Sequence, residues 1–193
     1  MKYTFPCVIF AGGKSSRMGE DKSLLPFGGF DTLIEYQYTK LSHLFTTVYI
    51  STKEDNYAFT CKCILDNSEV YAPTAGFVSL FKHLDTQRVF VLSVDTPFIG
   101  ATEIQKLIDE DNDSNDATIA CTSSSRHPMC GIYHRSLMTS FSSMLEKDNH
   151  KLGMLLKSVK TKWVEFEDEE AFMNLNHPHE YEEALLRVGV KST

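Results

Sequence analysis

Positive charge is in short supply in this chain. Nineteen lysines and arginines stand against 26 aspartates and glutamates, a formal net charge of −7 at pH 7. General nucleic-acid binding leaves a basic footprint, so that class is excluded. A small anionic substrate is not, because a few local cations can hold one. Long apolar runs are missing as well. The segment Phe5–Ala11 near the start is too short to cross a membrane and lacks the layout of a signal peptide. The cytoplasm is the expected address. Cysteines are few and odd in number: five, with Cys61 and Cys63 separated by one residue. Zinc sites favour two to four intervening residues, with a second pair or histidines downstream. Reduced structural thiols are therefore expected, without a metal site of cysteine type. No Ser/His/Asp or Cys/His arrangement can be argued, and there is no internal repeat and no linker. The 193 residues suit one domain that buries about 70% of its unfolded surface.

What is present is an alternation of two periods. Phe5–Phe10, Thr46–Ile50, Cys63–Leu65, Arg88–Val94, Ala117–Cys121, Met129–Tyr133 and Trp163–Phe166 read as strands, short and rich in β-branched or aromatic residues. Between them, Thr32–Leu44, Ala75–Leu84, Thr102–Glu110, Ser136–Lys147 and Lys151–Lys160 read as helices, with Thr102 as a cap. Pro178–Val188 closes the chain, its proline in the first turn. Strands alternating with helices imply right-handed βαβ units. The expected fold is α/β: three αβα layers around a mostly parallel, Rossmann-like sheet carrying an antiparallel strand. The acidic patch Asp109–Asp116 (DEDNDSND) mimics a calcium loop. Asp116 stands where that loop needs glycine and Thr122 where it needs a bidentate glutamate, so a solvated connection is expected.

The chemistry concentrates in Ala11–Lys22, AGGKSSRMGEDK, directly after the first strand. Glycines let a backbone turn sharply and aim N–H groups at an anion. In open α/β sheets, ligands bind beyond the carboxyl ends of strands, where this loop emerges. Lys14, Arg17 and Lys22 add charge suited to a triphosphate. A Walker A loop is excluded because Val8 occupies its first glycine position, and GxGxxG is absent. Asp95, at the end of the Arg88–Val94 strand, could hold magnesium, which takes one or two carboxylates plus phosphate oxygens, or could cap a turn.

The loop resembles the signature of the molybdenum cofactor guanylyltransferase family, LAGGxSxRMGxDK, departing from it with Phe10 for leucine. Further segments resemble that family in order along nearly the whole chain: Leu65-Asp66, the Ala72–Gly76 turn APTAG, Val94–Phe98 (VDTPF), Arg126-His127-Pro128 and Phe172–Pro178 (FMNLNHP). The resemblance implies transfer of GMP from GTP to molybdenum-loaded molybdopterin, with magnesium and release of pyrophosphate. It implies Arg17, Lys22 and Asp95 as catalytic groups, Asp95 holding the metal. It puts Phe10, Ala11, Gly12, Gly13, Lys22, Ser51, Asp66, Gly76 and Asp95 against GTP. Ser51 replaces a common asparagine, a shorter hydrogen-bonding group. The acceptor side falls to Arg126 and His127, for a phosphate, and to Asn174 and Asn176. These asparagines alternate around Leu175 and could equally stabilise a turn before Pro178. The N-terminal half is thus expected to bind nucleotide and the C-terminal half acceptor, in a monomer met by proteins that deliver or receive the cofactor. Rival readings are a cytidylyltransferase on the same pterin, a sugar-phosphate nucleotidylyltransferase, and a nucleotide-binding regulatory module without turnover.

Overall fold

Seven strands and six helices form among the residues that the computed structural model describes, 2–11 and 21–189. The strands are β1 (Cys7–Phe10), β2 (Val48–Thr52), β3 (Cys63–Leu65), β4 (Arg88–Ser93), β5 (Ala117–Thr122), β6 (Arg126–His134) and β7 (Thr161–Phe166). The helices are α1 (Leu33–Ser42), α2 (Pro73–His83), α3 (Ala101–Asp109), α4 (Met138–Glu146), α5 (Leu152–Ser158) and α6 (Pro178–Gly189).

One sheet holds all seven strands in the order β3-β2-β1-β4-β6-β5-β7. Every pairing is parallel except those of β6, which runs against both β4 and β5. The single antiparallel strand was expected. Because the other six strands share a direction, their carboxyl ends lie along one edge. Reversal of β6 sends its first residue, Arg126, to that same edge.

Side chains alternate across a strand, which splits the core in two. Cys7, Ile9, Phe90 and Leu92 pack on one face with Leu33 and Leu41 of α1 and Ile104 and Leu107 of α3. Val8, Phe10, Val89 and Val91 pack on the other with Phe77 and Phe81 of α2 and Phe141 of α4. Strands buried on both faces read as continuous apolar runs, as in the fully buried Val89–Leu92.

Two local expectations are corrected. Thr102 does not cap α3. Gly100 does, and the Glu103 carboxylate reaches back to its N–H at 2.9 Å. The Asp109–Asp116 connection is not wholly solvated either. The side chain of Asp111 is fully buried, accepting from Arg88 at 2.7 Å and Thr118 at 2.7 Å, with His134 Nε2 at 3.0 Å. Those bonds hold its carboxyl below the usual range although burial alone would raise it. The acid here fastens a loop to three strands, β4, β5 and β6.

Candidate functional site

Three chain segments far apart in sequence meet at the carboxyl edge of the sheet. Lys22 lies in a single 3-10 turn, Lys22–Leu24, whose N-cap Asp21 accepts from the Ser23 N–H at 3.0 Å. The Lys22 ammonium donates to Asp95 Oδ2 at 3.0 Å, to the Leu175 carbonyl at 3.0 Å and to Asn176 Oδ1 at 3.4 Å. An ammonium has three N–H donors, so each has one acceptor and the charge is held at a fixed point. Asp95 follows β4, and its carbonyl accepts from the Leu175 N–H at 2.9 Å. Its other carboxylate oxygen, Oδ1, is buried without a partner among the described residues. A buried anionic oxygen without a donor is costly, and it fits a site completed by a cation.

The turn bearing Asp95 is gripped from beneath by α1. Gln37 donates to the carbonyls of Thr96 at 3.0 Å and Val94 at 3.4 Å; Lys40 donates to those of Pro97 at 2.6 Å and Ile99 at 2.9 Å. Gln37 is fully buried. Burial also draws Lys40 down to about 7, since desolvation disfavours its charged form.

A second group of residues forms a cleft beside β1 and β2. Phe10, Ser51, Asp66 and Gly76 line it together with Thr52, Lys53, Tyr71, Ala72 and Pro73. Gly76 is required by close approach. A Cβ there would stand 2.5 Å from Phe10 Cε1 and 3.1 Å from Ser51 Oγ. The Phe10 ring rests against Phe77 with centroids 5.0 Å apart. Asp66 is nearly buried and its carboxylate is held inside the protein. Lys53 donates to Oδ2 at 2.7 Å, while the Ser68 N–H and Ser79 hydroxyl donate to Oδ1 at 3.0 and 3.3 Å. Lys53 also reaches the Val70 carbonyl at 2.8 Å and lies 5.1 Å from the Tyr71 ring centroid. Behind the cleft, buried Thr74 Oγ1 lies 2.6 Å from His150 Nδ1, and His150 Nε2 lies 2.8 Å from Asp148. This pair braces the Ala72–Gly76 turn against the loop after α4.

The acceptor-side residues are brought together only in part. Asn176 joins Lys22. Asn174 instead donates to the Phe172 carbonyl at 3.3 Å, in a turn. The N–H groups of Asn176 and His177 donate to Glu180 at 2.6 and 2.7 Å, which caps the start of α6. Arg126 and His127 diverge, as successive residues of a strand must. The Arg126 guanidinium lies 4.6 Å from the Trp163 ring centroid, and His127 stacks on Phe172 at 4.5 Å. Burial lowers the His127 pKa. The two do not converge on one point. Ala11 follows β1, its N–H donating to the Ser51 carbonyl at 3.1 Å. Gly12, Gly13 and Arg17 lie outside the described residues.

Sequence reasoning missed Lys53, Gln37 and Lys40. Each acts on backbone carbonyls or on a carboxylate positioned by tertiary contacts, and nothing local sets them apart from other polar residues of the chain.

Against known proteins, the MobA-like NTP transferase domain matches residues 7–163. The chain belongs to that family. The C-terminal FMNLNHP stretch and α6 fall beyond the matched segment of the MobA-like domain. A protein named molybdenum cofactor guanylyltransferase from Campylobacter jejuni strain RM1221 is 44% identical over 178 residues, 91% of this chain and 93% of its own. One of the same name from Helicobacter pylori strain G27 is 33% identical over 186 residues, 93% of this chain and 91% of its own. The fold is shared with molybdopterin-guanine dinucleotide biosynthesis protein A from Archaeoglobus fulgidus, with a TM-score of 0.83. That match is 19% identical and covers 96% of this chain and all of the other. A MobA-like NTP transferase handles a nucleoside triphosphate.

Proposed function

We propose that this chain is a molybdenum cofactor guanylyltransferase, joining GMP from GTP to molybdenum-loaded molybdopterin and releasing pyrophosphate. The observation that carries the reading is the junction of Lys22, Asp95 and Asn176 beside the Phe10–Gly76 cleft. It is reinforced by 44% identity to relatives that bear this name. A terminal phosphate oxygen of the acceptor attacks the α-phosphorus of GTP. One P–O bond forms, the bond to the β-phosphate bridging oxygen breaks, and pyrophosphate departs with that electron pair. The attacking oxygen is already ionised at neutral pH, so no general base is needed. Catalysis is positioning and charge stabilisation, as in phosphoryl transfer generally.

The parts divide accordingly. Phe10, Ser51, Asp66 and Gly76 form the wall for the base, with Lys53 holding Asp66 in place. On the resemblance of the AGGKSSRMGEDK segment, Ala11, Gly12, Gly13 and Arg17 are given to the phosphates together with Lys22. Lys22 is held by three acceptors and exchanges one of them for a phosphate oxygen. The free Oδ1 of Asp95 fits magnesium, which prefers one or two carboxylates plus phosphate oxygens. Bound there, magnesium would neutralise charge building on the phosphates. Asn176 faces the reacting groups, and Asn174 shapes the turn that presents it. Arg126 on its Trp163 platform is the acceptor-side cation, and His127 stacks on Phe172 instead. The N-terminal half thus serves nucleotide and the C-terminal half acceptor, in a cytoplasmic monomer that exchanges cofactor with delivery or recipient proteins. Among the described residues no helix is long and apolar enough to cross a membrane.

A cytidylyltransferase on the same pterin is the second reading, because Ser51 stands where an asparagine is common in the guanylyl family. Pyrophosphate release measured with GTP, CTP, ATP and UTP, with and without molybdenum-loaded molybdopterin, decides between them. Release with GTP that depends on the pterin is expected. Preference for CTP would move the assignment, and no release with any nucleotide would leave a binding module.

A further inference from the structure

The residues connecting β2 to β3 carry a second cluster of chemistry that the transfer reaction does not use. Cys63 opens β3, and Cys61, two residues earlier, projects to the same side, as alternate residues of an extended chain must. Their sulfurs are 3.7 Å apart. The connection folds back so that Asp55 Oδ1 accepts from Cys63 Sγ at 3.3 Å. One donor atom from each of Asp55, Cys61 and Cys63 lies within 4.8 Å of the other two. Both cysteines are half-buried and neither is in a disulfide.

These distances belong to a particular coordination geometry. Zinc binds thiolate sulfur at about 2.3 Å and carboxylate oxygen at about 2.0–2.2 Å, almost always tetrahedrally. Two sulfurs on such an ion stand about 3.8 Å apart, and a sulfur and a carboxylate oxygen about 3.5 Å. The observed 3.7 and 3.3 Å are those edges to within a few tenths of an ångström. Two thiolates with one carboxylate also suit a borderline-soft ion rather than magnesium or calcium, which take oxygen ligands.

We propose that Asp55, Cys61 and Cys63 form a zinc site with three protein ligands and a fourth position open to water. Binding replaces the two thiol protons, which leave to solvent, and the ion draws the carboxylate and both thiolates together. The site ties the connection to the edge strand. Its consequence reaches the cleft, because the same connection begins with Lys53 on Asp66, and Tyr57 donates to Thr52 Oγ1 at 3.2 Å. The proposal stands independently of which nucleotide that cleft accepts. The one-residue cysteine spacing hides it from sequence inspection, since the third ligand comes from a separate turn.

The test uses the reduced full-length protein, first stripped with a chelator and then titrated with zinc chloride against a chromophoric competitor in magnesium-containing buffer. One zinc per chain is expected at micromolar protein, and cobalt(II) in its place should show a thiolate-to-metal charge-transfer band. Cys61→Ser or Cys63→Ser should weaken zinc binding at least ~100-fold and abolish the band, and Asp55→Ala should weaken it ~10-fold, judging by what ligand-supporting residues contribute elsewhere. Asp55 is exposed, so its variant folds even if a serine variant does not. No stoichiometric zinc, zinc binding that survives the double Cys61→Ser, Cys63→Ser change, or cobalt binding without the band would each overturn the proposal.

Discussion

Replacing Asp95 by asparagine removes one charge and almost no volume, which makes it the sharpest probe of the junction. The wild-type pair has Lys22 Nζ and Asp95 Oδ2 3.0 Å apart, both side chains a little under one-fifth exposed. At an effective dielectric of about 20 that separation corresponds to roughly 5 kcal/mol of gross attraction. Desolvation of both ions takes back most of it, leaving about 1–2 kcal/mol of net stability. In a chain of this size such a loss lowers the melting temperature by roughly 2–8 °C. The Leu175 hydrogen bond is to the Asp95 main chain and survives. Activity should fall further than stability. If the Asp95 charge holds the metal as proposed, besides fixing the Lys22 ammonium, it is worth about 3 kcal/mol of transition-state stabilisation, or on the order of 100-fold in kcat. The assay is pyrophosphate release at saturating GTP and pterin over a magnesium series, with melting recorded on the same preparation. A folded variant turning over at the wild-type rate at limiting magnesium would refute the role given to Asp95.

Gly76→Ala should weaken GTP binding more than it weakens the fold. A methyl group meets the Phe10 ring at 2.5 Å, and overpacking of this kind costs about 1–3 kcal/mol; calorimetry and melting on one sample separate the two effects. Stability should also rise between pH 7 and 8. Burial holds Lys40 at about 7 in the folded chain, below its ordinary value, so in that window the unfolded chain binds more protons and each added pH unit favours folding. Above roughly pH 8.5 the trend should reverse, because burial raises Cys7 and Cys130 in the folded state while they ionise readily once unfolded. Denaturant titrations across pH 7–9 should show the rise in wild type and its loss in Lys40→Met. An unchanged slope in that variant would remove Lys40 as its source.

The strand and helix pattern was readable because most elements are buried on a simple period. Val89–Leu92 is apolar on both faces, and α1 and α3 carry one apolar stripe each. Ends were less legible. β6 runs from Arg126 to His134, well beyond its apolar centre, because pairing with β4 and β5 continues through polar residues. The cap of α3 escaped notice because Glu103 supplies the oxygen from inside the helix. In the site, Lys22, Asp95 and Asn176 stood out through their motifs, and the structure joins them. Arg126 and His127 were adjacent in the sequence and so were read together, yet strand geometry turns them apart. Lys53, Gln37 and Lys40 left no local trace. Their partners are main-chain carbonyls and a carboxylate brought near only by the finished fold.

The junction of residues 22, 95 and 175 has a consequence for the order in which the molecule comes into being. Lys22 needs the Leu175 carbonyl, and Leu175 needs the Asp95 carbonyl, so the contact spans most of the chain's length. Contacts this distant in sequence are slow to form, because the intervening loop must be closed first. A ribosome adding about 5–20 residues per second releases the Phe10–Gly76 cleft long before it releases the segment that seats the lysine. A nascent chain can therefore have its cleft in place while Lys22 still lacks its final acceptors. The junction closes only once Leu175 and Asn176 have been made.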